Sequence, residues 1–298
     1  MTLSAPHIPP HRHGILSRAC RTCLVCLLST LPLSSAGQND SLPHSATHSI
    51  AVGGANVLDT YLSAEKYRGV ELRYIAHLTR PLRWRGMSRT VVHQGQFSKL
   101  HNRADNNDEL QGAYRLLYLL RYNWHLGSHL TLSAGGGIDA SVGFLYNMRN
   151  GNNPAQARFG IHLAPSVAAT YAFSHRAFSF RIGYEAAVQL AGLMFSPNFG
   201  QSYYEIFNRN NNDHNIVPTT FIATPSLWQT AYIDVRPSRL WSRTWLRVSY
   251  IGDIQQAKVN NLKYHHYSHL VGIGITHTLC TSSPASAHCA CCCSRRCC

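Results

Sequence analysis

His266, Tyr267 and Ser268 stand in a row near the end of this 298-residue chain. A histidine two residues from a serine suggests a hydroxyl nucleophile activated by a ring nitrogen. Asp105, Asp108 and the adjacent pair Asp213 and His214 offer another chemistry, a carboxylate and an imidazole activating water for peptide hydrolysis. Asp105, Asp108 and Glu109 supply hard oxygens for Ca²⁺, but their spacing lacks a full oxygen cage. The terminal run HCACCCSRRCC carries thiolates suited to soft metals, without the repeated Cys-x-x-Cys spacing of a metal site. Each has a plainer reading. Adjacent Asp-His pairs are ordinary loop residues, and His266 and Ser268 fall on the face of their segment opposite to Val271, Ile273 and Ile275. The expectation is no catalytic residue, no metal and no cofactor.

A second constellation is polar, with Asn and Gln the commonest members. Asn102, Arg103, Asp105, Asn106, Arg149, Asn152, Asn153, Gln201, Tyr203, Tyr204, Glu205, Gln255, Gln256, Lys258, Asn260 and Asn261 crowd into the stretches between apolar segments. Such side chains either bind a small polar ligand such as a sugar or knit loops into a lid; the lid is preferred.

The elements that must position these residues alternate with a period of two. From Leu130 to Tyr146, Leu130, Leu132, Ile138, Val142, Phe144 and Tyr146 share one face and Thr131, Ser133, Asp139 and Ser141 the other, which is strand and not helix periodicity. Phe178 to Leu190 repeats the pattern, as do Phe159 to Phe173 and Val70 to Leu78. Ten strands are expected, at 49–58, 69–79, 87–98, 111–126, 129–146, 157–173, 177–194, 226–236, 243–252 and 266–279. The connections alternate too. Asp59 to Arg68, Lys99 to Leu110, Asn147 to Gln156, Phe195 to Pro225 and Asp253 to His265 are long; Arg80 to Gly86, Gly127 to Ser128, Ser174 to Arg176 and Pro237 to Ser242 are short. Short turns at one end and long loops at the other are the wiring of an outer-membrane barrel.

Three features favour membrane over a soluble sandwich. The strands are long, several with 15 or more residues, against about 5–6 in soluble sheets. Aromatic residues cluster at segment ends, as interfacial girdles do. The polar face carries charge, which suits a barrel lumen. The expected fold is all-β: a closed antiparallel up-and-down transmembrane barrel of about ten strands. Ten strands enclose no open channel, so Glu71, Arg73, Arg115, Asp139, Arg181, Glu185 and Gln189 are expected to pair inside as a lumen network, unpaired buried charge being costly.

The flanks complete the division. Residues 1–36 read as a signal peptide, with Arg12, Arg18 and Arg21 before an apolar run too short to span a bilayer. Residues 37–48 read as a flexible lead-in, 49–279 as the barrel and 280–298 as a disordered Cys-rich tail. All ten cysteines lie in the leader or the tail, so no disulfide framework holds the body. The net charge of +14 falls to +9 when the three leader and two tail arginines are removed, leaving 22 basic against 13 acidic residues. No basic patch interleaved with aromatics signals nucleic acid. Expected partners are outer-membrane lipid and lipopolysaccharide, the barrel-assembly machinery and a small polar ligand.

The stretches DTYLS (59–63), YRG (67–69), HNRADN (101–106), NMRNGNNPAQA (147–157), GLMFSPNFGQSYYEIF (192–207) and QQAKVNNL (255–262) together resemble a family of uncharacterised Bacteroidetes proteins with a presumed outer-membrane barrel fold. The resemblance covers 49–279 and departs at the Cys-rich tail. It implies a barrel and assigns no activity, so no catalytic residue is carried over. The function expected is a non-enzymatic structural or binding barrel with a narrow or plugged lumen, exported to the outer membrane of a Gram-negative bacterium; the alternatives are a rim hydrolase for lipid or peptide and a small-solute transporter.

Overall fold

The structure, a computed structural model, describes residues 44–279 apart from 85, 152, 238–240 and 242. The proposed leader and the tail lie outside the described residues. The order of elements is β1 (His44–Asp59), β2 (Tyr67–Pro81), β3 (Met87–His101), β4 (Asp108–Leu126), β5 (Leu130–Asn147), β6 (Ala155–His175), β7 (Phe178–Ala187), β8 (Ala191–Phe195), a short helix α1 (Tyr203–Phe207), β9 (Ile216–Thr220), β10 (Ser226–Pro237), β11 (Thr244–Val259) and β12 (Leu262–Leu279). Each strand pairs antiparallel with its neighbour, and β1 pairs with β12 over their whole lengths, from His44 opposite Leu279 to Asp59 opposite Tyr264. β5–β6 and β7–β10 pairing completes the ring. Ten staves therefore close into one barrel; β8 and β9 extend the β7 and β10 staves beyond it, β8 pairing back onto β6. Closure leaves no unpaired sheet edge around the ring.

The facing of the strands follows their parity. On β2, Val70, Leu72 and Tyr74 are 62, 53 and 43% exposed while Glu71 and Arg73 are fully buried. The same inversion runs around the ring: Ile50, Ile138, Ile161, Ile182, Val248 and Ile273 stand outside, and Ser49, Asp139, His162, Arg181, Arg247 and Ser268 inside. This is a sheet turned inside out relative to a soluble one, greasy outside and polar within.

Pro165 breaks the regularity once. It has no N–H to donate across to β7. Ala187 faces Ser166 and Ala191 faces Leu163, so Val188, Gln189 and Leu190 stand against two residues only, a bulge. Gln189 keeps the inward parity of Glu185 and Ala187, at 8% exposed, and beyond Leu190 the bulge reverses the parity, so that Leu193 faces out at 46%.

Three expectations need correction. β1 starts at His44, so 44–48 belong to the barrel and not to a flexible lead-in. The connection expected from Asp253 to His265 is not a long loop: β11 runs to Val259, β12 starts at Leu262, and Asn260 and Asn261 (φ 52° and 61°) join them. Two positive-φ residues in a two-residue hairpin form a type I′ turn, for which asparagine is well suited. The stretch expected to be one loop from Phe195 to Pro225 contains α1 and β9, and Ser202 and Glu205 cap that helix reciprocally.

Candidate functional site: a layered lumen under a knitted lid

The interior is filled in five levels. At the turn end Asp234 accepts from Arg247 at 2.6 and 2.9 Å and meets Arg181 at 3.0 Å, while Arg247 lies over the Tyr232 ring and Arg181 over Trp245. Above them Glu185 receives Arg121 at 3.0 Å and His77 at 3.1 Å. Next comes an apolar layer of Ala51, Ile75, Val92, Leu117, Leu119, Ala164, Ala187, Trp228, Ile251 and Leu270. The fourth level is ionic again. Arg73 binds Glu71 at 2.6 Å and Asp253 at 2.8 Å; Arg115 binds Asp139 at 2.6 Å and the other oxygen of Asp253 at 3.0 Å. Gln189 donates to Asp139, Arg73 also donates to Ser268, and His266 Nε2 meets Glu71 at 2.8 Å.

The fifth level, beyond the apolar belt, holds Asp59, Arg158 and Tyr264. Arg158 reaches Asp59 at 3.1 Å and stacks 3.0 Å from the Tyr264 ring centroid. Apolar packing of Val57, Leu62, Tyr67, Leu100, Leu145 and Val259 surrounds them. The cavities left on either side of Arg158 and Tyr264 are about 40 Å³ each, space for isolated water and not for a solute path.

Sequence reasoning placed Glu71, Arg73, Arg115, Asp139, Arg181, Glu185 and Gln189 inside, and all seven are there. They are not one network. Glu71, Arg73, Arg115, Asp139 and Gln189 share the fourth level, Glu185 the second and Arg181 the first. Reading missed Asp253, the bridge between the two guanidiniums, because it was assigned to a loop. The signal was present: Arg247, Ser249, Ile251 and Asp253 keep one parity. Asp234 and the Asp59–Arg158 pair were missed, as was the meeting of Arg121 and His77 at Glu185, for a different reason, namely that no local pattern names a partner on another stave.

The polar loop residues knit the cap. Asn102 donates to Glu65 and Asn106 and accepts from the Asn106 backbone. Arg149 reaches the Asn106 carbonyl and Asn150 that of Leu62, so the third loop holds the second and the first. Asn153 N–H bonds to Asn150, and Asn152 lies outside the described residues. Gln201 binds Asn198, Asn211 and Asn215; Tyr203 donates to Gln156 and accepts from Ala157 N–H. Glu205 caps α1, and Tyr204 stays 57% exposed. Asn260 donates to the carbonyls of Ser196 and His214 and so fastens the fourth loop to the last hairpin. Arg103 and Asp105 are exposed in the second loop. Four expected loop residues are elsewhere: Gln255 points into the lumen toward Asp253, Gln256 and Lys258 lie exposed on β11, and Asn261 is a turn residue.

The residues considered for hydrolysis do not assemble. His266 and Ser268 are completely buried and held by Glu71 and Arg73. Asp105 belongs to the second loop and Asp213 and His214 to the fourth. Among the described residues no group of three His, Cys, Asp or Glu side chains could hold a metal ion.

Glu109, at the loop end of β4 and beyond the belt that begins at Tyr114, is 1% exposed. Asn147 donates to Oε1 at 2.9 Å, and among the described residues Oε2 has no partner. Burial pushes its carboxyl up to about 7 against the opposing Asn147 bond, and Asp59 adds to the rise. The folded chain thus holds a proton that the unfolded chain releases between the ordinary carboxylate range and pH 7. This contribution is complete at low pH and is lost as pH rises toward 7. Glu109→Gln should therefore raise the unfolding midpoint relative to the parent at pH 8 and leave it unchanged near pH 4. An equal shift at both values would refute the buried-proton account.

Fold and interior define a closed antiparallel barrel of ten staves whose lumen is filled by its own side chains. The chain belongs to the family described as protein of unknown function DUF3316, which matches residues 21–285. No curated protein matches it. Among solved structures it is similar to the outer membrane protease OmpT of Escherichia coli (6% identity, 83% of this chain and 99% of that one, TM-score 0.47). It is also similar to the translocator domain of the autotransporter NalP of Neisseria meningitidis (10%, 88% and 97%, TM-score 0.39) and to the COG4313 outer membrane channel of Pseudomonas putida F1 (9%, 83% and 99%, TM-score 0.37). Likenesses this remote add no argument about activity.

Proposed function

We propose that the chain is an integral barrel of the outer membrane of a Gram-negative bacterium, of the Bacteroidetes group its motifs resemble, reached with the help of the barrel-assembly machinery. In this reading it acts without enzymatic chemistry, as a structural or binding protein of the cell surface with a sealed lumen. The observation that carries the reading is the filled interior: charged levels alternate with a dry apolar one beneath loops that hold each other. The exposed belt supports the membrane placement. On β2 it runs from Val70 to Leu78 between Arg68 and Arg80. Spans of about 9–11 residues are what tilted strands need to cross the hydrocarbon. Among the described residues no helix is long and apolar enough to cross a membrane, which leaves the strands to do it. The knitted polar lid, with Tyr204 and Arg103 on its surface, is where a small polar ligand would meet the protein. The purified barrel in a planar bilayer should give no stable conductance steps; large, long-lived channels would overturn the sealed lumen.

A further inference from the structure

The loop-end rim of the barrel is charged on one side only. Lys258 on β11, Lys263 on β12, Arg68 on β2 and Lys99 on β3 all point outward and are exposed just above the belt. At the corresponding place on β4, β5, β6, β8 and β10 the outward residues are Leu110, Tyr146, Ala157, Leu193 and Leu227. Between β2 and β3 this basic arc opens into a groove of about 960 Å³ lined by Glu65, Lys66, Arg68, His101, Asn102, Arg103 and Ala104.

Two features mark the arc as built for an anion. Lys258 and Lys263 stand directly opposite each other in register, a like-charge pairing that destabilises a sheet by itself. In the groove, Glu65 is engaged by Asn102 at 2.9 Å, and among the described residues no carboxylate lies within ion-pair distance of Lys66, Arg68 or Arg103, whereas Lys99 meets Asp108 at 3.4 Å. The lumen is the contrast, since Arg73, Arg115, Arg121, Arg158, Arg181 and Arg247 each face a carboxylate there. Directly below the groove lie exposed Val70, Leu72 and Phe97. A cationic slot over an apolar wall fits a molecule with an anionic head and acyl chains. Arginine forks match phosphate oxygens in pairs.

We propose that the groove formed by Lys66, Arg68, His101 and Arg103 binds the phosphorylated headgroup of an outer-leaflet glycolipid, with its acyl chains along Val70, Leu72 and Phe97. The proposal rests on the membrane reading above and adds to it a site and a ligand chemistry. Lys258 and Lys263 continue the site across β1, where His265 is tied to Asn56 at 3.0 Å.

The test uses the full purified chain in detergent micelles, with diphosphorylated lipid A, the same glycolipid stripped of phosphate, and inorganic phosphate as probes. The parent should prefer the diphosphorylated form by about tenfold or more, the effect of one or two charge-assisted bonds, and the preference should shrink with salt. The triple variant Lys66→Gln, Arg68→Gln, Arg103→Gln should lose it, and the turn-end pair Arg80→Gln, Arg89→Gln should keep it. No preference in the parent, or an undiminished one in the triple variant, would overturn the site. Displacement of the glycolipid by an equal concentration of inorganic phosphate would overturn the lipid as its source. Heat-dependent gel mobility confirms that each variant is folded. A folded, detergent-bound barrel without the preference defeats the groove alone, while a chain that folds and stays in solution without detergent defeats the membrane reading beneath it.

Discussion

Replacing Arg115 with methionine should destabilise the barrel by about 3–5 kcal/mol, the range for removing one partner of a buried ion pair. The guanidinium is 5% exposed and holds Asp139 by two bonds and Asp253 by a third. Methionine keeps the length and the apolar stem. Among the described residues it leaves Asp139 with Gln189 as its donor, and leaves Arg73, which meets Glu71 and Asp253, as the one guanidinium of a level with three carboxylates. Electrostatic mismatch, not lost volume, is then the source of the cost. The paired variant Arg115→Met, Asp139→Leu removes both members of the strongest couple and should recover most of the loss, because replacing a buried pair by apolar groups is often near neutral. Unfolding by denaturant in detergent or lipid measures both. A single variant within about 1 kcal/mol of the parent would mean that the fourth level is held by packing rather than by charge.

Ile273→Arg should cost about 2–4 kcal/mol in lipid, the depth-dependent cost of a cation on the hydrocarbon face of a barrel. Ile273 is 65% exposed and lies between Ile50 and Val248, themselves 63 and 49% exposed. In water the same exposure would make the substitution harmless, within about ±0.5 kcal/mol. The sign and size of one surface change therefore separate a barrel in lipid from a barrel in solution. Gln256→Arg, on the outward face of β11 at the level of Lys258 and above the belt, is the internal control and should cost about 0–1 kcal/mol. Equal, small effects at both positions would dispose of the membrane placement.

Much of this was readable along the chain, and the limits of reading have physical causes. The facing of Val70, Glu71, Leu72 and Arg73 follows from the two-residue period of a strand, a local property. The Asn260–Asn261 hairpin was read as a long loop because the apolar outward face of β11 and β12 ends before it. Beyond the apolar belt QQAKVNNL loses its alternation while its backbone stays paired. The Pro165 bulge was also invisible: its effect, the parity change at Leu193, appears only when β6, β7 and β8 lie side by side. The basic arc was not legible along the chain, since Lys66, Arg103, Lys258 and Lys263 meet on one rim only through the β1–β12 seam.

The amino-acid sequence by itself determined the number of staves, their inward and outward faces, and the end at which the loops gather, because periodicity and turn chemistry act over a few residues. Only the tertiary structure decided which carboxylate each arginine meets. Arg73 and Asp253 are 180 positions apart in the chain, and they meet because closure and strand register set them at the same height in a lumen too dry to leave either alone.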